Sequence, residues 1–361
     1  MDFSPANHAV SLAVATSSGY LAPSAFAWPD LFSITAHVKW FHDFSYSDLP
    51  QGFTEALTPL VLSLLVLSAL VIGSLVLVDR LLAGSTTYSR ISEWLEARRD
   101  QSLLVMRIGA GMTLLLSWQA DALLVPDLEL GPGEAWVGWL QFVLALMLIF
   151  PRLTPFAGVG IFALWLIGVA DFGLFHMLDY VLFVGVAVYL GVSASRNQLI
   201  RGLGIPALYS TVGFSLIWVA LEKIVYPEWG LQILADNEHL ALGLPHDVFL
   251  TLVAFTEIAL GFLLIIGLLG RPLGLVITLV LFTTALTFGK TEVVGHTIIH
   301  AALIVFVLEG EGRFYPAPIA IHRQITMRIA FATVNFLLVT AVLFSAYVFI
   351  AEATYDNTAG Q

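Results

Sequence analysis

The sequence predicts an all-α, polytopic membrane protein. It reads as about ten transmembrane helices, arranged as two parallel four-helix-bundle repeats flanked by one helix on each side. Three observations carry that expectation. Of 361 residues, 58% are hydrophobic and 11% charged, where soluble domains carry about 25% charged residues; the mean hydropathy is +0.90. Apolar segments of membrane-spanning length recur along the chain. The arginines all fall on one side of those segments.

A spanning helix needs about 20 apolar residues. Ten segments approach this: 57–78, 103–120, 135–151, 155–171, 176–194, 205–222, 247–268, 272–289, 294–309 and 327–350. Pro151 with Pro155, and Pro272, mark tight turns between antiparallel neighbours. With alternating spans, Arg80, Arg90, Arg98, Arg99, Arg107, Arg152, Arg196, Arg201, Arg271, Arg313, Arg323 and Arg328 share one face. Cytoplasmic loops collect such residues, so this face is the cytoplasmic one and both termini are extracytoplasmic. The opposite face holds Lys39, Lys223 and Lys290, most of the acidic residues and all the histidines but His322. The chain is expected in the cell (inner) membrane, with the lipid bilayer as its first partner.

Composition also excludes. There is no cysteine, which removes disulfides, iron–sulfur clusters and covalently attached haem. A net charge of -11 argues against nucleic acid as a partner. Residues 9–27 are mildly apolar and end in small residues, but lack the basic start of a signal peptide.

Two stretches of about a hundred residues align in parallel orientation. SWQADALLVPDLEL (117–130) matches VALEKIVYPEWGL (219–231), placing Asp121 on Glu222 and Pro126 on Pro227. Pro155 falls on Pro272, His176 on His296 and Tyr180 on His300. The organisation follows. Residues 1–56 are an N-terminal segment with an interfacial helix, and 57–102 the first span and a basic loop. Residues 103–200 and 201–312 are the two four-helix units, and 313–361 the last helix and tail.

LEKIVYPEWG, the Gly-Arg-Pro turn of GLLGRPLG and the polar helix start GHTIIH, with a basic residue ahead of the unit, resemble the DoxX/DoxD-like superfamily of four-helix membrane proteins. The resemblance covers 103–310, and 205–310 more clearly. It implies a quinone-linked or redox-accessory role, as in thiosulfate:quinone oxidoreductase subunits.

The residues point to an outer polar site. His296 and His300 lie four apart, on one helical face, and can share an ion; both facing the headgroups is the plainer alternative. Glu222 ends its span at a similar depth, and two His with one carboxylate suit a divalent Fe, Mn or Zn, with Cu also open. An ion pair is the alternative for Glu222 and for Lys223. Glu257 lies mid-span, where a carboxylate costs about 2.5–3.5 kcal/mol and calls for a partner; it suits a proton relay, a metal shell or a hydrogen bond to quinone. Trp218, Tyr226 and Trp229 are near enough in sequence to wall a quinone ring. Asp171, His176 and Asp179 form a secondary cation site in the first unit, expected to be a largely structural copy. In ITAHVKWFHDF (34–44), His37 and His42 can cap the site as a lid, although the aromatics also fit an interfacial belt.

The expected function is a membrane redox component, with Glu222 and Glu257 in catalytic roles and a metal or quinone as cofactor. It could serve as an accessory to a periplasmic or membrane redox subunit. A cation or small-solute transporter, or an assembly subunit without a site, are the alternatives.

Overall fold

The computed structural model describes residues 38–41, 44–45, 48–310 and 317–359, without the side chains of 283–288 and 357–359. Every apolar segment expected to span is helical in its main part. The principal helices are α1 (Pro59–Ala83), α2 (Thr86–Glu96), α3 (Ser102–Gln119), α4 (Ala135–Ile149), α5 (Thr154–Phe172) and α6 (Leu182–Val192). They continue with α7 (Gly204–Val225), α8 (Pro227–Asp236), α9 (His246–Ile266), α10 (Gly270–Phe288), α11 (Lys290–Glu309) and α12 (Ile325–Ala359). Among the described residues there is no strand, only an isolated bridge between Ala122 and Glu129.

Six helical stretches are long and apolar enough to cross a membrane: Pro59–Ala83, Pro151–Phe172, Gln198–Val225, His246–Ile266, Lys290–Glu309 and Ile325–Asp356. Ala135–Ile149, Leu182–Val192 and Gly270–Phe282 are apolar but shorter. Large apolar side chains cover the outside, as with Val66, Leu70, Val159 and Phe349. Helices this apolar on their exposed faces belong in lipid rather than water. The chain is therefore an all-helical membrane protein.

Packing closes a ring. Helix α3 lies beside α4, α4 beside α5, α5 beside α6, α6 beside α7 and α7 beside α9. Helix α10 packs on α11, and α11 returns to α3. The α1 and α12 pair lies outside the ring, against α9. Helices α7 and α9 cross at Gly213 and Gly261, where a Cβ on either would meet the other's carbonyl oxygen at 2.5 Å. Small residues at a crossing let two backbones approach, which replaces the hydrophobic drive that lipid does not supply.

The arginine-rich end is stitched by guanidinium groups donating to helix C-terminal carbonyls, which lack intrahelical partners. Arg107 donates to Leu148 and Ile149, at 2.8 and 2.6 Å. Arg271 donates to Val307 at 3.0 Å, and Arg99 to Glu309 at 2.9 Å. At this end the Tyr209 hydroxyl also donates to the Gly310 carbonyl, at 2.8 Å.

One expected span is broken. Between α5 and α6 the chain passes through Gly173, at φ +83°, a single turn Leu174–Met177 and a further turn before α6 begins. The Leu182 N–H donates to Ser215 Oγ at 3.0 Å. Ser215 lies halfway along α7, so α6 starts at mid-depth. The segment 176–194, expected as one continuous helix, is helical as Leu182–Val192. Irregular backbone is tolerated at that depth where protein or a cavity surrounds it.

Candidate functional site

Helix ends and loops at the arginine-poor end converge on a buried cluster of ionisable groups. Its centre is Lys39, from the one-turn 3-10 helix Val38–Trp40. Its ammonium stands 2.6 Å from Asp179 Oδ2 and 2.7 Å from Glu222 Oε2, and all three side chains are at most 1% exposed. Asp179 comes from the broken segment before α6, and Glu222 from the last turn of α7. Among the described residues, neither Asp179 Oδ1 nor Glu222 Oε1 has a hydrogen-bond partner.

Three further pairs surround that centre. Asp127, in the loop between α3 and α4, takes the Tyr180 hydroxyl at 2.7 Å and the His176 Nε2 at 2.9 Å. The loop is held by Gln141, which is buried. Its amide donates to the Ala122 carbonyl at 2.8 Å and accepts from the Leu124 N–H at 2.9 Å. Lys223 Nζ donates to Glu257 Oε2 at 2.8 Å, and turns back to within 3.5 Å of the Val219 carbonyl. That direction carries its charge into the bundle, the reverse of snorkelling to the headgroups. Glu257 lies eleven residues into α9, about 16 Å along the axis. On α11, His296 Nδ1 stands 2.5 Å from a carboxylate oxygen of Glu292, one turn earlier.

Trp40 links these pairs. Its indole N–H donates to the Tyr180 hydroxyl at 3.2 Å, and its ring lies 4.8 Å from that of His296. A Cβ on Gly295 would overlap the indole, so only glycine admits Trp40 there. Beneath Trp40 is a cavity with apolar walls, among them Val212, Leu216, Val219, Leu281 and Ile299. Asp179, Tyr180, Ser215, Lys223, Glu257 and His296 supply its polar lining. The cavity volume is about 40 Å³. The cavity is therefore a narrow slot.

The expected site residues are distributed unevenly. Glu257 and His296 share the cavity, whereas Glu222 is turned to Lys39. His300, one turn further along α11, is half-buried. Among the described residues, no group of three or more His, Asp or Glu side chains is placed to hold a metal ion. Among the described residues, the two carboxylates expected in that role face lysines instead, Glu222 with Lys39 and Glu257 with Lys223. Trp218 does not line the cavity; it is buried against Phe214 and Tyr347, at ring distances of 5.4 and 4.8 Å. Tyr226 and Trp229 stack on each other at 4.3 Å and line a separate outer groove with Asp48, Glu55 and Glu228. Burial there pushes the Tyr226 hydroxyl well above its ordinary range. Asp171 is exposed and apart from the cluster, whereas His176 and Asp179 belong to it through different partners. His37 and His42 lie outside the described residues. Asp121, aligned in sequence with Glu222, is exposed.

Sequence reasoning missed Lys39, Trp40, Asp127 and the Glu292–His296 pair. The signal for Lys39 was available: it is one of three lysines outside the arginine face, set among apolar and aromatic residues, and such a charge needs a partner.

The fold and site define an all-helical membrane protein with a buried charge cluster beside a narrow, mostly apolar slot. Compared with known proteins, the chain matches no family model, no curated protein and no solved structure.

Proposed function

We propose that this is a cell-membrane protein in which ten helices cross the bilayer and the arginine-rich end faces the cytoplasm. The ten helices form two DoxX-like four-helix units plus the outer pair. The slot binds an amphipathic ring of the quinol type and exchanges a proton with it. Reciprocal packing supports the duplication: the last helix of each unit lies against the first helix of the other, α6 on α7 and α11 on α3. The positive-inside distribution supports the orientation.

The observation that carries the functional reading is the slot itself: apolar walls closing on a hydroxyl, an imidazole and a Lys–Glu pair. Organic ligand sites combine mostly apolar walls with a few placed polar groups in this way. A quinol, when bound, supplies two hydroxyl protons and two electrons; the electrons pass to a partner redox subunit. The chain's own residues handle the protons. Glu257 and His296 accept or donate at the ligand hydroxyl, and Lys223 holds the Glu257 carboxylate in place. Tyr180, Asp127 and His176 continue a hydrogen-bonded path away from the slot. Five carboxylates stand in the described cluster against two lysines and two imidazoles. Even with both imidazoles charged, cations are outnumbered in it.

The test is extraction of quinone from detergent-purified protein, comparing wild type with the His296→Ala, His300→Ala double variant. Quinone bound near one per chain and lost in the variant supports the reading; folded wild type that carries and takes up none overturns it.

A transporter is the second reading. The cluster draws on both units, and the helix before α6 is broken at mid-depth, as at many transporter sites. Proton-driven solute uptake into proteoliposomes, without quinone binding, is the result that selects it.

A further inference from the structure

We propose that the turn Val38–Trp40 is a removable stopper for the slot, with Lys39 as its latch and Trp40 as its plug. The inference rests on the slot being the functional site, but not on which ligand enters it.

Three observations carry it. The turn belongs to no spanning helix, yet Val38 and Lys39 are 3% and 4% exposed. Its polar contacts include the ammonium between Asp179 and Glu222 and the indole N–H on Tyr180, beside apolar packing of Val38 and Trp40. The ammonium and indole contacts can be exchanged for water or a ligand. Gly295 provides a seat with no side chain, into which the indole fits. The slot's polar lining is thus covered by a piece of chain that precedes the bundle.

The consequences differ from those of a fixed structural element. A stopper competes with ligand, so the apparent affinity falls by the fraction of time the slot is open. Removing the plug then tightens binding and opens the slot to solutes, while the helical ring keeps its own contacts. Displacement of Lys39 leaves Asp179 and Glu222 facing each other; the latch therefore re-forms readily, and the closed state is the resting one.

The chain has no cysteine, so one introduced thiol reports access. The Val125→Cys chain places it in the slot wall. A small charged methanethiosulfonate reagent is applied to purified protein in detergent micelles. Labelling is expected to be slow in this background and faster by about tenfold or more when Trp40→Ala, Gly295→Leu or Lys39→Met is added, as for release of a local closed state. Gly295→Leu and Trp40→Ala leave the latch intact, so they carry the test if Lys39→Met does not fold. Rates unchanged in the folded variants overturn the stopper. Titration with a short-chain quinol separates the two ideas: faster labelling without quinol binding keeps the stopper and sinks the quinol reading.

Discussion

Lys39 and Glu222 meet at 2.7 Å with neither side chain more than 1% exposed, and Asp179 completes the contact at 2.6 Å. One cation from the segment before α1 thus holds carboxylates from both halves of the ring. A buried pair of this kind is weak as a source of stability but costly to break by halves, because the surviving charge stays buried.

Lys39→Met is therefore expected to destabilise by about 3–5 kcal/mol. Adding Glu222→Gln to it should recover part of the loss, since one orphaned carboxylate is removed. Thermal unfolding in detergent of the two single variants and the double variant gives the coupling. Strict additivity of the two losses would rule out the pairing.

The Lys223–Glu257 contact gives a second expectation. Glu257→Gln leaves the Lys223 ammonium buried without its counter-charge, whereas Glu257→Gln with Lys223→Met removes both. The single variant should be the less stable, and the double variant closer to wild type, in the same unfolding assay. The reverse order would show that Lys223 finds another partner.

Helix approach is the third. Gly213→Leu or Gly261→Leu puts a side chain against the opposite backbone, where even a Cβ would come within 2.5 Å of a carbonyl oxygen. Overpacking costs about 1–3 kcal/mol, and more where backbone cannot yield. Both variants should lower the melting temperature. They should also weaken ligand binding, because Lys223 and Glu257 sit on the two helices forced apart. A melting temperature equal to that of wild type would contradict the crossing.

Chelation is the fourth. With the carboxylates engaged by lysine and imidazole, exhaustive treatment with a strong chelator should leave the melting temperature and any bound quinone unchanged. Loss of a stoichiometric metal with loss of stability, read by elemental analysis, would restore the metal reading of His296 and His300.

The apolar segments were legible because each carries its own signal: length, apolarity and flanking arginine or proline. The break before α6 was not, since Leu174, Phe175, Met177 and Leu178 continue the apolar run and Gly173, His176 and Asp179 interrupt it only singly. Glu257 and His296 stood out individually as costly residues at spanning depth. Their partners did not. Asp127 lies in a loop whose fold depends on Gln141 reaching across from α4, and Lys39 is placed by tertiary contacts far along the chain. His37 and His42 suggest chemistry by residue type, whereas between them Lys39 reads as one of the few lysines of the outer face and Trp40 as part of an interfacial aromatic belt. Sequence spacing tells which side chains share a helix face, but pairing across helices depends on rotation and depth, which apolar composition does not encode.

The central claim is that ligand binding in the slot exchanges a proton through Glu257. The most direct measurement is calorimetric titration of a short-chain quinol into the purified protein, in two buffers of different ionisation enthalpy. The account predicts a binding enthalpy that differs between buffers for wild type and converges for Glu257→Gln. No binding, or the same enthalpy in both buffers for wild type, would contradict it.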